Sequence, residues 1–382
     1  MTGRMELVGR LVLADRIAGG RLVLRDGVID SLDLDEEVTT GPLLAPGFVD
    51  VHVHGWGGHD AMGDRAALDG MAQALAGRGV TSFLPTAVSA PLPELAAFAD
   101  RVRAWLPLAP VDGAAPLGFN LEGPFLADAR RGAHDPAFLM DPADIPAGEL
   151  DPLLDGLRVI TVAPERPGAL ALIAALRARG VAVSMGHSAA TLEEARAGYA
   201  AGGTTTTHLF NGMTGLDHRA PGLAAAALLD DDAYVELIAD GLHVHPGLWP
   251  LIARLKPADR LLLVSDAILL AGSATALVGG RARVGTLEVE VREERVTLVG
   301  TTTLAGSVIA LDDAVRNMVT AGIALPVAIA AASTNPVAML GEIDRGRLAI
   351  GMRADIVALD DALRVTDVWL AGRRLDRGSA SA

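Results

Sequence analysis

The chain reads as an α/β protein built on a (β/α)8 TIM-like barrel, with a small β-sandwich domain formed by both chain ends. Three observations predict this. Apolar runs rich in β-branched residues alternate with helical segments from Phe48 to about Ala267, the pattern of repeated βα units. Both chain ends carry short strand-like runs broken by Gly and Asp, without helical period. The nine histidines all fall at the ends of predicted strands or in the loops that follow, where a barrel enzyme places its chemistry.

In chain order, MELVGRLVLA and GGRLVLRDGVIDSL read as strands joined by turns, with Asp26-Gly27 as a hairpin signal. The tail GMRADIVALDDALRVTDVWLAGRRL has the same texture. Residues 1–45 and 350–382 are therefore expected to form the small β domain, with the barrel occupying 46–349. At 382 residues, the chain accommodates one barrel of about 250 residues and a smaller module. The eight predicted barrel strands are Phe48–His54, Val80–Val88, Leu117–Glu122, Leu157–Pro164, Val181–His187, Thr204–His208, Tyr234–His243 and Leu261–Asp266. Between them, Thr191 and Glu194 match a capping box, and Gly180 and Gly202 follow helical runs as stops. Residues 281–299 read as an inserted β ribbon, followed by a turn at 300–307 that leads back to the barrel mouth and a helix near 308–321.

Composition narrows the function classes. The chain is 51% hydrophobic but only 3% aromatic, which suits an aliphatic, layered barrel interior. A net charge of −15 opposes nucleic-acid binding, and it requires any anionic ligand to be held by local donors. With no cysteine, a transition-metal site must use His, Asp or Glu. The opening MTGRMELVGR lacks a signal-peptide core and no apolar run approaches the ~20 residues of a membrane span, so a cytoplasmic location is expected.

His52 and His54 end the first predicted strand, and a period of two puts both imidazoles on one side. Glu122, His187, His208 and Asp266 each follow an apolar strand in the same way. A carboxylate in that position is costly unless it is paired or metal-bound, and these N and O donors suit zinc or iron(II) with one position left open to water. A hydrogen-bonded polar network closing the barrel is the alternative reading.

Seven segments resemble the amidohydrolase superfamily and, within it, the N-acetylglucosamine-6-phosphate deacetylase family. They are PGFVDVHVHG from Pro46, NLEGPF from Asn120, GHS from Gly186, THLFNGM from Thr207, DGLH from Asp240, VSDA from Val264 and LAGS from Leu304. The resemblance implies a core metal on Glu122, His187 and His208, with His52, His54 and Asp266 joining if a second ion is held. It implies Asp266 as general base and acid, His134 on the acetyl carbonyl and His243 on the sugar. Asn211, the Gly212 N–H and Arg219 match the phosphate-binding stretch, and Ala133, Leu304 and Ala305 complete the substrate contacts. Many relatives have Ala where Gly212 stands, a departure expected to loosen that loop. Superfamily members that bridge two metals through a carbamylated lysine are a poor match, because Lys256 is the only lysine and lies away from any strand end. The carboxylate role then falls to Glu122.

The resemblance further implies one or two divalent ions per subunit, a phosphorylated amino-sugar substrate, a place in amino-sugar catabolism and cell-wall recycling, and a homodimer whose neighbour helps bind phosphate. Hydrolysis of an unphosphorylated N-acyl or isoaspartyl amide, and an inactive barrel serving in assembly, are the competing readings. No role is assigned to His59, His218 or His245.

Overall fold

The computed structural model describes residues 3–273, 280–292 and 295–376. Its largest sheet has eight strands in a parallel path: Phe48–Val53, Val80–Ala87, Phe119–Phe125, Leu157–Val162, Ala182–Met185, Thr205–Thr206, Tyr234–Leu237 and Leu261–Leu263. A short edge piece, Ala115–Pro116, pairs with the second of these. The first and last strands sit at the two ends of the hydrogen-bonded path, and the residues just beyond them bridge the seam. Asp266 N–H donates to the His52 carbonyl at 2.9 Å, and His54 N–H donates to the Ala267 carbonyl at 2.8 Å. Barrel closure thus falls on residues that also belong to the histidine and carboxylate cluster.

All eight expected strands are present, with shifted ends. The third was expected to stop at Glu122 but continues to Phe125, because the register with the fourth strand slips between Glu122 and Phe125. This bulge lets the backbone run on while Glu122 stays turned into the barrel. The fifth and sixth strands stop short of His187 and His208, whose φ values of 45° and 26° take the chain out of the extended region. The seventh ends at Leu237 rather than His243, since the Asp240 side chain accepts the N–H groups of Leu242 and His243 and turns the chain there.

The chain ends combine in one seven-stranded sheet. Met5–Val12, Ile17–Arg25, Val28–Leu34 and Leu43–Pro46 come from the N-terminal end, and Ile356–Leu359, Val365–Leu370 and Arg373–Arg374 from the C-terminal end. The two contributions meet where Leu43–Pro46 pairs antiparallel with Ile356–Leu359. Asp26 and Gly27, at φ 50° and 86°, make the hairpin turn expected of that dipeptide. Leu11, Leu22, Leu24, Ile29, Ile356 and Trp369 form an apolar cluster belonging to this sheet, apart from the barrel core. Of the expected 1–45 and 350–382 segments, residues 1–2 and 377–382 lie outside the described residues.

The ribbon expected at 281–299 has three antiparallel strands, Arg281–Val284, Leu287–Arg292 and Arg295–Leu298, with 293–294 outside the described residues. Val284, Val289, Val291 and Val296 pack on Val88, Ile268 and Ala305, which seats the ribbon beside the barrel mouth. The helix that follows is Leu311–Thr320. Thr191 and Glu194 make the reciprocal capping box, and Gly202 ends that helix at φ 122°.

Lys256 is buried, with Nζ donating to the Ala227 carbonyl at 3.0 Å and to the Asp230 carbonyl. The sole lysine therefore caps the C-terminal end of the helix Leu223–Leu229, where a cation complements exposed carbonyls. Lys256→Ala should lower stability by about 2 kcal/mol, the scale of a charge-assisted hydrogen bond. It should leave bound metal unchanged. Urea unfolding and elemental analysis check both halves, and loss of metal in the variant would reopen a lysine-bridged centre.

Candidate metal centre

Strand direction explains why the polar residues converge. Parallel barrel strands release their side chains toward a common mouth, and alternation turns His52 and His54 to the same side. Left-handed backbone at His187, His208 and Asp266 (φ 45°, 26° and 49°) turns three more side chains off their strand ends into that mouth. Non-glycine residues in this region cost of order 1–3 kcal/mol each, and such strain persists where the surroundings over-determine it.

Glu122 is the hub. Its Oε1 lies 3.0 Å from His187 Nε2 and 2.9 Å from His208 Nε2, while those two nitrogens are 3.1 Å apart. Its Oε2 lies 3.1 Å from His54 Nε2 and 3.3 Å from His134 Nε2. Asp266 Oδ1 stands 3.2 Å from His54 Nε2 and 3.5 Å from His52 Nε2, and the two histidine nitrogens are 3.3 Å apart. Two donor groups result, Glu122 with His187 and His208, and His52 with His54, Glu122 and Asp266, and they share the Glu122 carboxylate. Ligand atoms placed tetrahedrally ~2.0–2.1 Å from a zinc ion lie roughly 3.3 Å apart, so both groups have the spacing of a ligand shell.

Surrounding groups fix the rings. His54 Nδ1 faces the Thr86 carbonyl at 3.1 Å and His187 Nδ1 the Arg130 carbonyl at 2.8 Å, so each donates there and turns its Nε2 toward Glu122. His134 is oriented the opposite way. Its Nδ1 accepts the Ser89 N–H at 3.3 Å, which places the ring proton on Nε2. Burial lowers the His134 pKa to about 4 despite Glu122 beside it, so the ring is a neutral donor at pH 7. His243 Nδ1 meets Asp240 Oδ2 at 2.7 Å; burial opposes its charge, but Asp240 prevails and raises its pKa.

Electrostatics in the cluster are mutual. Burial disfavours charge on Glu122, yet His52, His134 and His187 outweigh it and hold the carboxyl well below the usual range. Burial likewise disfavours a charged His54, but hydrogen bonds to Asp266 and Glu122 raise its pKa to about 9. His52 is raised well above its ordinary value against burial, with Glu122 the chief opposing influence.

A cavity of about 370 Å³ opens over the hub. It is lined by His54, Glu122, His134, His187, His208, His243 and Asp266, together with Ala133, Asn211, Gly212, Leu304 and Ala305. His52 lies beneath it, fully buried. Arg219 is not brought to this cavity: it is exposed on the loop after Asn211, where its backbone N–H donates to Asp217. The Asn211 side-chain amide donates to the His208 and Leu209 carbonyls and so braces the turn. At φ 56°, a Cβ on Gly212 would stand 2.9 Å from His187 Nδ1, so glycine allows the loop to close against that ring. His59 sits in the small hairpin after the first strand, His245 accepts the Gly247 N–H at 3.1 Å, and His218 is exposed.

One carboxylate at the site escapes the sequence motifs, Glu236, which holds His52; Asp240, which holds His243, opens the DGLH segment, where the resemblance assigns it no role. The signal for Glu236 is a single carboxylate inside the apolar run Tyr234–Leu237, a placement that needs a partner. Phe210, also in the lining, lies within the THLFNGM segment, where the resemblance assigns it no role, while Thr302 and Thr303 carry no distinctive signal.

A parallel barrel whose mouth holds a histidine and carboxylate cluster shaped for divalent ions defines a metal-dependent hydrolase. The chain belongs to the amidohydrolase family, whose sequence profile matches residues 43–375. It is 40% identical over 368 residues to an N-acetylgalactosamine-6-phosphate deacetylase of Escherichia coli O157:H7, covering 92% of this chain and 94% of that one. An N-acetylglucosamine-6-phosphate deacetylase structure from Thermotoga maritima superposes with a TM-score of 0.91 at 33% identity, covering 98% of this chain and 100% of that one. An Asp-to-Ala variant of the Mycobacterium smegmatis enzyme, in complex with N-acetyl-D-glucosamine-6-phosphate, superposes at 0.89 with 32% identity, covering 98% and 99%.

The pKa directions set a stability profile for the metal-free protein. A histidine whose folded pKa is raised adds stability that is complete below its unfolded value, near 6.5, and is lost as pH rises through the folded one. His54 therefore loses its contribution between about pH 6.5 and about 9. The melting temperature of chelator-treated protein should fall across that window. A flat or rising profile there would contradict the raised His54 pKa.

Proposed function

We propose that the protein hydrolyses the acetamide of N-acetyl-D-glucosamine-6-phosphate to D-glucosamine-6-phosphate and acetate, in amino-sugar catabolism and cell-wall recycling. The observation that carries this reading is the Glu122-centred pair of donor groups at the floor of a small-molecule cavity, in a chain similar along nearly its whole length to amino-sugar-phosphate deacetylases. Glu122, His187 and His208 would hold one divalent ion, zinc or iron(II), and His52, His54 and Asp266 would join Glu122 around a second. A bound ion supplies Lewis acidity, which makes water a nucleophile near neutral pH.

The chain's own residues perform the remaining steps. Burial opposes charge on Asp266, but His54 and His52 prevail and lower its pKa, so it is an ionised base that takes a proton from the attacking water as the new C–O bond forms. His134 donates Nε2–H to the carbonyl oxygen as negative charge develops on it. Asp266 then returns the proton to the amide nitrogen as the C–N bond breaks, leaving acetate and the free amine. His243, held by Asp240, presents its Nε2 side to the sugar, and Ala133, Leu304 and Ala305 shape the wall around it. Asp266→Asn should retain metal by elemental analysis while kcat falls at least ~10²-fold. Near-normal turnover in that variant would remove Asp266 from the mechanism.

Phosphate recognition is assigned to Asn211, the Gly212 N–H and Arg219. Because Arg219 is exposed outside its own cavity, we place it at the phosphate of the neighbouring subunit in a homodimer. Leu248, Leu251 and Leu255, exposed along one face at the helix Trp249–Leu255, are apolar surface suited to a second copy of the chain. The C4 epimer, N-acetylgalactosamine-6-phosphate, is the second reading, favoured by the 40% identical relative. Measuring kcat/KM on both phosphates and on unphosphorylated N-acetylglucosamine separates these readings. Arg219→Ala should cost roughly 10- to 150-fold on the phosphate, the worth of one charge-assisted contact, and little on the neutral sugar. Mixing Arg219→Ala subunits with Asp266→Asn subunits should restore activity if the arginine acts across the dimer. A wild type indifferent to phosphate would transfer the assignment to an unphosphorylated amide.

A further inference from the structure

Glu236 is fully buried inside the barrel, on the seventh strand. Its Oε2 lies 3.0 Å from His52 Nδ1 and accepts the backbone N–H of His208 at 3.2 Å. Its Oε1 has no hydrogen-bond partner among the described residues. Among the described residues its ion-pair partner is His52 alone, with no arginine or lysine in reach. A buried carboxylate left so sparsely satisfied costs several kcal/mol, and a purely structural role in an aliphatic barrel would be served better by an apolar side chain. Its contacts point instead to the two halves of the metal centre: a ring on one side, a backbone on the other.

We infer that Glu236 is the positioning residue of the His52–His54 half of the centre, resting on the metal-hydrolase reading above. As a carboxylate it can only accept from His52 Nδ1, so it keeps a proton on Nδ1 and leaves Nε2, which faces His54, Glu122 and Asp266, as the nitrogen that would give its lone pair to an ion. No other described group is placed to do this for His52, whereas His54 and His187 use backbone carbonyls for the same purpose. Through the same oxygen Glu236 holds the N–H of His208, whose φ of 26° turns its side chain into the other half. One atom thus sets the orientation of a donor in each group. The dependence is unequal, because His52 loses its ring orientation without Glu236, while His208 loses one of several restraints.

The test is metal binding, which needs no substrate, so its failure and a failure of the deacetylase assignment are read separately. Metal-free protein is titrated with zinc against a competing chromophoric chelator, and cobalt(II) spectra report each site. Wild type should take up two ions per subunit. Glu236→Ala should weaken one of them 10- to 100-fold, the usual cost of losing the partner behind a metal-bound histidine, with the other close to wild type. His52→Ala identifies the weakened site as the same one. Glu236→Gln keeps an amide oxygen able to accept from Nδ1 and should recover most of the affinity. Glu236→Asp withdraws the acceptor and should behave as the alanine variant, which keeps the test open if alanine does not fold. A single ion in the wild type, unchanged affinities in both Glu236→Ala and Glu236→Asp, or equal weakening of both ions in every variant would overturn the inference.

Discussion

The Glu122 carboxylate gathers four imidazoles within hydrogen-bonding distance, and much of the barrel mouth is arranged around that encounter. Such a group of histidines packed without an anion would repel on protonation, and a lone buried carboxylate would be pushed toward neutrality. Together they keep each other charged or oriented, at the cost of forming only when several strands arrive in register. The strand bulge after Glu122, the early ends of the fifth and sixth strands and the seam across Asp266 and His52 all serve this convergence.

Left-handed backbone at His187, His208 and Asp266 works against local preference, and the surrounding contacts hold it there. The His187 ring is fixed by the Arg130 carbonyl and closed in by Gly212, Asp266 is tied into the seam, and His208 is held by Glu236. Rigid strands thus present residues in conformations that a flexible loop would leave. Placement on such elements, rather than on the long connections, keeps donor atoms at ligand-shell spacing.

Charge is handled locally. The net charge of −15 gives an unfavourable field for an anionic sugar phosphate, so attraction has to come from donors presented at close range. The ribbon strands Arg281–Val284, Leu287–Arg292 and Arg295–Leu298 pack their valines on Val88 and Ile268, and the Thr302–Gly306 stretch that follows lines the cavity. The ribbon's Thr286 hydroxyl bonds Asp135 at 2.6 Å, next to His134, so the ribbon and the loop bearing His134 are joined.

Much of this is legible in the residues themselves. Eight β-branched runs, Asp26-Gly27 and the Thr191–Glu194 pair carry local signals that neighbours along the chain suffice to specify, and strand alternation alone places His52 and His54 on one side. Strand ends are less legible, because His187 and His208 terminate theirs through hydrogen bonds to distant partners and through left-handed backbone that their residue type does not favour, whereas the turn at Asp240 is a local one. Nor can sequence show that Glu236 stands behind His52, or that Arg219 lies outside its own cavity: both depend on which residues, far apart in the chain, the closed barrel brings together or keeps apart. Periodicity and residue chemistry determined the fold class and which side chains could serve as donors to a metal ion. Tertiary structure decided which donors share a carboxylate, because distances of about 3 Å between strand ends exist only once eight parallel strands have closed on themselves.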